Sequence, residues 1–231
     1  MCGRFAQYSS PEEVAKRLAV DPSRIRTGAV RPRYNIAPSQ AVMAVRLDSG
    51  GERELVTLTW GLVPVWSKEP KTSYSTINAR AETVDTKPAF RHAFRKHRCV
   101  IPADGYYEWQ QTASGKQPWY LTASDGEGFV FAGLWERWQA KDAGPDIESC
   151  TIIVTAASVR LRPIHDRMPV ILPVRDIAIW LSPDAPAENL KAMLKPCAPE
   201  TTTAWPVSTW VNSPRHDDAR CIDRVTPAAV T

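Results

Sequence analysis

The 231-residue chain has no C-x-x-C pair, and its cysteines are odd in number: Cys2, Cys99, Cys150, Cys197 and Cys221. Neither a disulfide framework nor a structural zinc site is expected, and free thiols suit a reducing cytosol. No h-region follows Met1 and no apolar run is long enough to span a bilayer. A cytoplasmic, soluble protein with no membrane partner is therefore expected. The motifs G-x-x-x-x-G-K-S/T, G-x-S-x-G and H-E-x-x-H are missing too. Readings as a nucleoside triphosphatase, a serine hydrolase or a zincin lose their support. No internal repeat, low-complexity tract or linker divides the chain. The net charge is only +4. That suits a local cationic patch facing a polyanion, but does not by itself indicate nucleic acid.

What is present is the composition of a globular protein, 43% hydrophobic and 23% charged. Twenty prolines favour short strands and many turns over a helical bundle. Ser10-Pro11-Glu12-Glu13 reads as a capping box opening a first helix, with Val14 and Leu18 on its apolar stripe. Residues 21–33 read as a basic loop, and Tyr34 to Pro38 as a compact turn. Ala41 to Leu47 and Glu54 to Leu62 read as a hairpin about Asp48-Ser49-Gly50-Gly51. After an exposed loop over 67–77, Lys87 to Arg98 has helical spacing, with Phe90, Ala93 and Phe94 inward and Arg91, Arg95 and Lys96 outward. Cys99 to Trp135 reads as a β-meander. Thr151 to Ala156 is a strongly apolar strand, Arg175 to Leu181 and Ala187 to Lys195 are helical, and Trp205-Pro206-Val207 and Trp210-Val211 are short extended pieces. The expectation is one α+β domain over residues 1–231, strand-rich, with a mostly antiparallel, barrel-like β core and a few flanking helices.

The chemistry starts at the first residues, Met1-Cys2-Gly3-Arg4-Phe5. Removal of Met1 would leave Cys2 with an α-amine and a thiol two carbons apart. Such a 1,2-aminothiol condenses with an aldehyde through the amine and then closes through the thiol to a thiazolidine ring. An α-amine has a pKa of about 7.7–8.0 against about 10.4 for lysine, so it supplies far more free amine at neutral pH. The plain alternative is a start codon followed by an unimportant cysteine.

Other side chains could assist. Glu108 sits between Tyr107 and Trp109, where apolar surroundings would raise its pKa into the range of a general acid or base. Equally, Tyr106, Glu108 and Gln110 could form a solvent face. His165 lies between Pro163 and Pro169 and could shuttle protons, or could be structural. Asn78 and Arg80 are two apart and would point the same way on an extended segment. An amide there could orient an amine and a guanidinium could clamp a phosphate. The alternatives are a loop cap and a surface salt bridge. Trp66 could stack on an unpaired base or fill the core.

Six blocks, in order, resemble the signature of one family: Met1-Cys2-Gly3-Arg4-Phe5, Tyr34 to Pro38, Trp60 to Pro64, Asn78 to Thr83, Pro102 to Trp109 and Ile164 to Val170. The family is that of the SOS-response-associated peptidases (SRAP), or abasic-site processing proteins. The blocks span residues 1 to 172, and the tail after about 214 carries little of the likeness. The resemblance implies the SRAP fold and a self-modifying protein. Such a protein binds single-stranded DNA containing an abasic site and crosslinks to it through an N-terminal cysteine, with autopeptidase removal of Met1 and lyase activity. Carried over residue by residue, Cys2 is the crosslinking nucleophile, Asn78 holds the amine, Glu108 is the acid–base and His165 assists sugar opening. Arg4, Arg80 and Arg167 resemble phosphate clamps, and Trp66 an aromatic that stacks on DNA. Thr86-Lys87-Pro88 departs from the pattern and is assigned no DNA contact. No metal and no cofactor are expected, and the chain is expected to act as a monomer. Two other readings stay open: a non-covalent single-stranded DNA-binding module, and an N-terminal-nucleophile amidohydrolase or cysteine peptidase.

Overall fold

The computed structural model describes residues 2–70, 76–140 and 144–226. Its strands are β1 (Phe5–Gln7), β2 (Arg33–Ile36), β3 (Ala41–Leu47), β4 (Arg53–Trp60), β5 (Asn78–Arg80), β6 (Arg98–Ala103), β7 (Gly105–Thr112), β8 (Gly115–Ala123), β9 (Phe129–Trp138), β10 (Ile147–Ala156), β11 (Arg167–Pro169) and β12 (Thr202–Pro206). Four short helices flank them: α1 (Pro11–Arg17), α2 (Arg91–Lys96), α3 (Ile177–Leu181) and α4 (Ala187–Met193). Among the described residues no helix is long and apolar enough to cross a membrane. The expected α+β, strand-rich, barrel-like architecture is what forms.

The barrel is a closed ring in the order β10-β4-β3-β6-β9, with β9 pairing back onto β10. Every pairing is antiparallel except the short parallel contact of β10 with β4. Period-two alternation sorts the wall residues onto opposite faces. Met43, Val45, Leu55, Val100, Ala132 and Ile153 pack with the helices through Leu18, Phe94, Trp180 and Leu190. Ala44, Val56, Leu58, Ile101, Phe131 and Ile152 pack on the other face with Cys2, Phe5 and Tyr106. A second sheet, ordered β12-β8-β7-β1-β2, supplies Phe5 and Tyr106, and Cys2 lies just before its strand β1.

Local chemistry explains several elements. Ser10 and Glu13 form the reciprocal capping box at α1. Asp48 accepts from the amides of Gly50 and Glu52 at 2.8 and 3.0 Å, and Gly51 takes a positive φ of 81°, closing the β3–β4 hairpin.

Four expectations are corrected. The stretch from β6 to β9 is not a meander. The β7–β8 hairpin lies in one sheet, nested inside a β6–β9 pair in the other. The switch occurs at Asp104-Gly105, where the Asp104 carboxylate accepts from the amides of Tyr8 and Ser9. Tyr34 to Ile36 is not a turn but part of β2, paired to β1, with the Asp217 carboxylate accepting from the Tyr34 and Asn35 amides. The Lys87–Arg98 helix shrinks to α2, because Pro88 disfavours helical backbone at Lys87 and Phe90 offers no capping side chain. Trp210-Val211 lies in a 3-10 turn, since the Ser208 hydroxyl accepts from the Trp210 amide. Part of the loop expected over 67–77 lies outside the described residues.

Gly105 is required by close approach. A Cβ there would lie 2.3 Å from Tyr120 Cζ and 2.6 Å from the Leu121 carbonyl oxygen, which is backbone and cannot swing away. Gly105→Ala is expected to lower stability by at least about 1–3 kcal/mol, read as an earlier urea unfolding midpoint. An unchanged midpoint would contradict the packing described for the sheet switch.

Candidate active site

The start of the chain is drawn inside by strand pairing. β1 runs antiparallel to β7 with Phe5 opposite Tyr106, and the Tyr107 amide donates to the Arg4 carbonyl at 3.0 Å. That register sends the residues before Arg4 toward Glu108. Cys2 is fully buried in the cluster with Phe5, Trp60, Tyr106, Ile152 and Met168.

Asn78 reaches the same point from β5, which lies parallel to β10 with Asn78 opposite Ile152. The Ile77 carbonyl just before it accepts from Trp60 Nε1 and from the Ile152 amide, which fixes the strand's entry. Asn78 Nδ2 donates to the Cys2 carbonyl at 2.7 Å. Its Oδ1 is buried and has no hydrogen-bond partner among the described residues. The amide therefore offers an unused acceptor beside the chain terminus.

Glu108 on β7 is 4% exposed, because by alternation it shares the face of Tyr106, which the barrel cluster covers, while Tyr107 faces the Tyr120–Val207 cluster on the other side. The solvent-face alternative for Tyr106 and Glu108 is thereby corrected. Burial pushes the Glu108 carboxyl from its ordinary 4.5 up to about 7. Burial first, and the Glu108 charge second, push the Cys2 thiol well above its ordinary value. At neutral pH the thiol keeps its proton.

His165 is presented by a tight turn in which the amides of Leu161 and Arg162 bond the Ser158 carbonyl. Its Nε2 lies 3.8 Å from Glu108 Oε2. Its Nδ1 accepts from the Arg167 amide at 3.0 Å, which assigns the ring proton to Nε2. Asp166 Oδ1 is also 2.9 Å from Nδ1 and would favour a proton there. Asp166 is on the surface, where water screens it, so the amide bond decides the tautomer. Burial lowers the His165 pKa, consistent with a neutral ring.

Cys2, Asn78, Glu108 and His165 thus meet from four separate segments. The basic residues are placed more variously. Arg80 is exposed on β5 opposite Val154, and Arg167 lies on β11 opposite Ala156, so the two flank the C-terminal end of β10. Arg167 is paired to Glu82 at 2.5 Å. Arg4 is half-buried and donates to Asn35 Oδ1 and the Val211 carbonyl, at 2.8 and 2.9 Å. It ties β1 to β2 and the C-terminal segment, and it also lines an open hollow with Trp109 and Lys116. Trp66 is 55% exposed, its Nε1 directed to the Pro88 carbonyl at 3.3 Å. Sequence reasoning missed Glu82 as the partner of Arg167. The alternation Asn78, Arg80, Glu82 was the available signal.

The family model described as SOS response associated peptidase (SRAP) matches residues 1–214. The abasic site processing protein YoaM of Bacillus subtilis is 40% identical over 225 residues, covering 96% of this chain and 98% of that protein. The abasic site processing protein HMCES of Gallus gallus is 32% identical over 261 residues, covering 96% of this chain and 77% of that protein. A solved structure of a protein from Bacteroides thetaiotaomicron matches with a TM-score of 0.85 at 26% identity, over 97% of this chain and 100% of that one. One from Bordetella bronchiseptica matches with a TM-score of 0.77 at 30% identity, over 90% and 100%. With that profile spanning nearly all of its length, and relatives this similar end to end, the chain belongs to the SRAP family.

Proposed function

We propose that this protein processes abasic sites, joining Cys2 covalently to the ring-opened sugar of an abasic site in single-stranded DNA once Met1 has been removed. The observation that carries the reading is the seat of Cys2: fully buried, its carbonyl held by Asn78, and grouped with Glu108 and His165. The relatives above bear the name abasic site processing protein, which supports the same reading.

The chemistry follows from the proton positions. The thiol is held protonated, so the α-amine of Cys2 is the first nucleophile. The unused Asn78 Oδ1 accepts one amine hydrogen and aims the nitrogen lone pair at the sugar aldehyde carbon. A C–N bond forms, and the carbonyl oxygen leaves as water with protons delivered through Glu108, whose pKa near 7 lets it give and take at neutral pH. The Cys2 sulfur then bonds the imine carbon, and its proton passes to the ring nitrogen. The product is a thiazolidine, and one water is lost overall. His165, with its proton on Nε2, donates to the sugar ring oxygen as the ring opens. Arg80 and Arg167 hold phosphates on either side of the lesion, Arg4 a third, and Trp66 stacks on a neighbouring base. Such stacking contributes about 1–3 kcal/mol per base, and the phosphate contacts make binding salt-dependent.

The test incubates the purified chain, with loss of Met1 confirmed by intact mass, with matched single-stranded oligonucleotides carrying an abasic site or an intact base. A denaturation-resistant species is expected with the abasic strand alone, at the summed mass less one water. Equal retention of both strands with no covalent product would overturn the reading in favour of a simple binding module. Turnover of peptides in trans would favour a peptidase instead.

A further inference from the structure

On the far side of the barrel wall from Cys2 lies a second group of chemically capable side chains. Glu136 on β9 is 2% exposed. Among the described residues no lysine or arginine is within ion-pair distance of it. Its two oxygens are met by two imidazoles instead: Oε1 lies 2.7 Å from His92 Nδ1, and Oε2 lies 3.0 Å from His97 Nδ1. We propose that His92, His97 and Glu136 form a binding site for a borderline divalent cation, with Zn²⁺ the ion best suited to it.

The geometry carries the case. Ligand-type atoms of the three residues all lie within 4.8 Å of one another, a spacing that one ion can bridge. The two rings meet edge to face with centroids 5.2 Å apart, and His97 lies against Trp135 at 4.7 Å, so its orientation is held by packing. The His92 side chain is 50% exposed and that of His97 32%, which gives an ion a path in while the carboxylate waits beneath.

The donor set selects the ion. Two imidazoles and one carboxylate leave a fourth position for water, a set that suits Zn²⁺. Mg²⁺ and Ca²⁺ want several oxygen ligands. The neighbours Arg91, Arg95, Lys96 and Arg137 are cationic and exposed, which further disfavours ions held mainly by charge. A bound ion would pin the start and end of α2 to β9, strengthening a helix that lacks a side-chain cap of its own. The sequence conceals this set, because His92 and His97 are five apart and Glu136 lies in another strand. The expectation of no metal site rested on cysteine spacing and on the missing H-E-x-x-H.

The test uses the full chain after chelator treatment, titrated with Zn²⁺ against a chromophoric competitor. Cys2→Ala serves as the background, because an N-terminal aminothiol also ligates zinc. One equivalent is expected to bind in Cys2→Ala and to raise the unfolding midpoint by linkage, and at least one is expected to bind in wild type. His92→Ala, at a half-exposed position that tolerates truncation, is expected to weaken binding at least about tenfold. Co²⁺ in place of zinc should give a visible absorption band that His92→Ala removes. No saturable binding, binding unchanged in His92→Ala, or binding lost in Cys2→Ala would each overturn the proposal.

Discussion

A Cys2→Ala chain is expected to give no denaturation-resistant adduct with abasic single-stranded DNA, while still retaining that DNA under native conditions. The reason is chemical. Alanine at position 2 keeps the α-amine and the hydrogen bond from Asn78 to the residue-2 carbonyl, since that bond is to backbone. The imine can therefore form, but nothing can close on it, and water reverses it. Borohydride should trap that imine in Cys2→Ala, which separates loss of ring closure from loss of binding. Cys2→Ser should behave similarly, because a hydroxyl is the poorer nucleophile toward the imine carbon. Truncation leaves only a small gap in the cluster with Phe5, Trp60 and Tyr106, so the fold should persist. A Cys2→Ala adduct as stable as wild type would sink the assignment of Cys2.

The elements legible in advance were those whose signals are local. β3 falls on Ala41–Leu47 as read, because its own apolar run is bounded by Pro38-Ser39-Gln40 on one side and by the Gly-Gly turn on the other. The capping box at Ser10 and Glu13 likewise needs only four residues. What escaped was set by pairing between distant segments. β2 reads as a turn until β1 and Asp217 satisfy its backbone. The nesting of β7–β8 inside β6–β9 depends on a sheet switch that a single glycine permits. The site divides the same way. Residue types at Cys2, Asn78, Glu108 and His165 suggested chemistry, and the family likeness joined them. Burial of Glu108 could not be read from alternation, since alternation alone does not say that both faces of β7 are covered, as they are here by two clusters. The guanidinium of Arg4, read in advance as resembling a phosphate clamp, also ties the fold together through Nη1, which donates to Asn35 Oδ1 and the Val211 carbonyl.

Glu108→Gln should slow adduct formation and stabilise the fold, and the opposition of the two effects is the informative part. Removing a general acid–base is expected to cut the rate by about 10²–10⁴ at neutral pH. The wild-type rate should show an inflection near pH 7, where the buried carboxyl titrates, and the variant should lose it. Stability carries the opposite sign. The carboxyl titrates near 4.5 in the unfolded chain and near 7 in the folded one. Between those values the folded state holds a proton that the unfolded chain has released. Stability therefore falls as pH rises through that window, by roughly 3 kcal/mol once above it. Glutamine is uncharged throughout, so the variant should match wild type below pH 4.5 and exceed it at pH 8, read from urea midpoints at the two pH values. A misfolded variant would lose both rate and stability. If the variant were slow but no more stable at pH 8, Glu108 would act there as a fixed charge, not as a proton carrier. An unchanged rate with the inflection intact would move the acid–base role to His165, the other titratable side chain among the three residues grouped with Cys2.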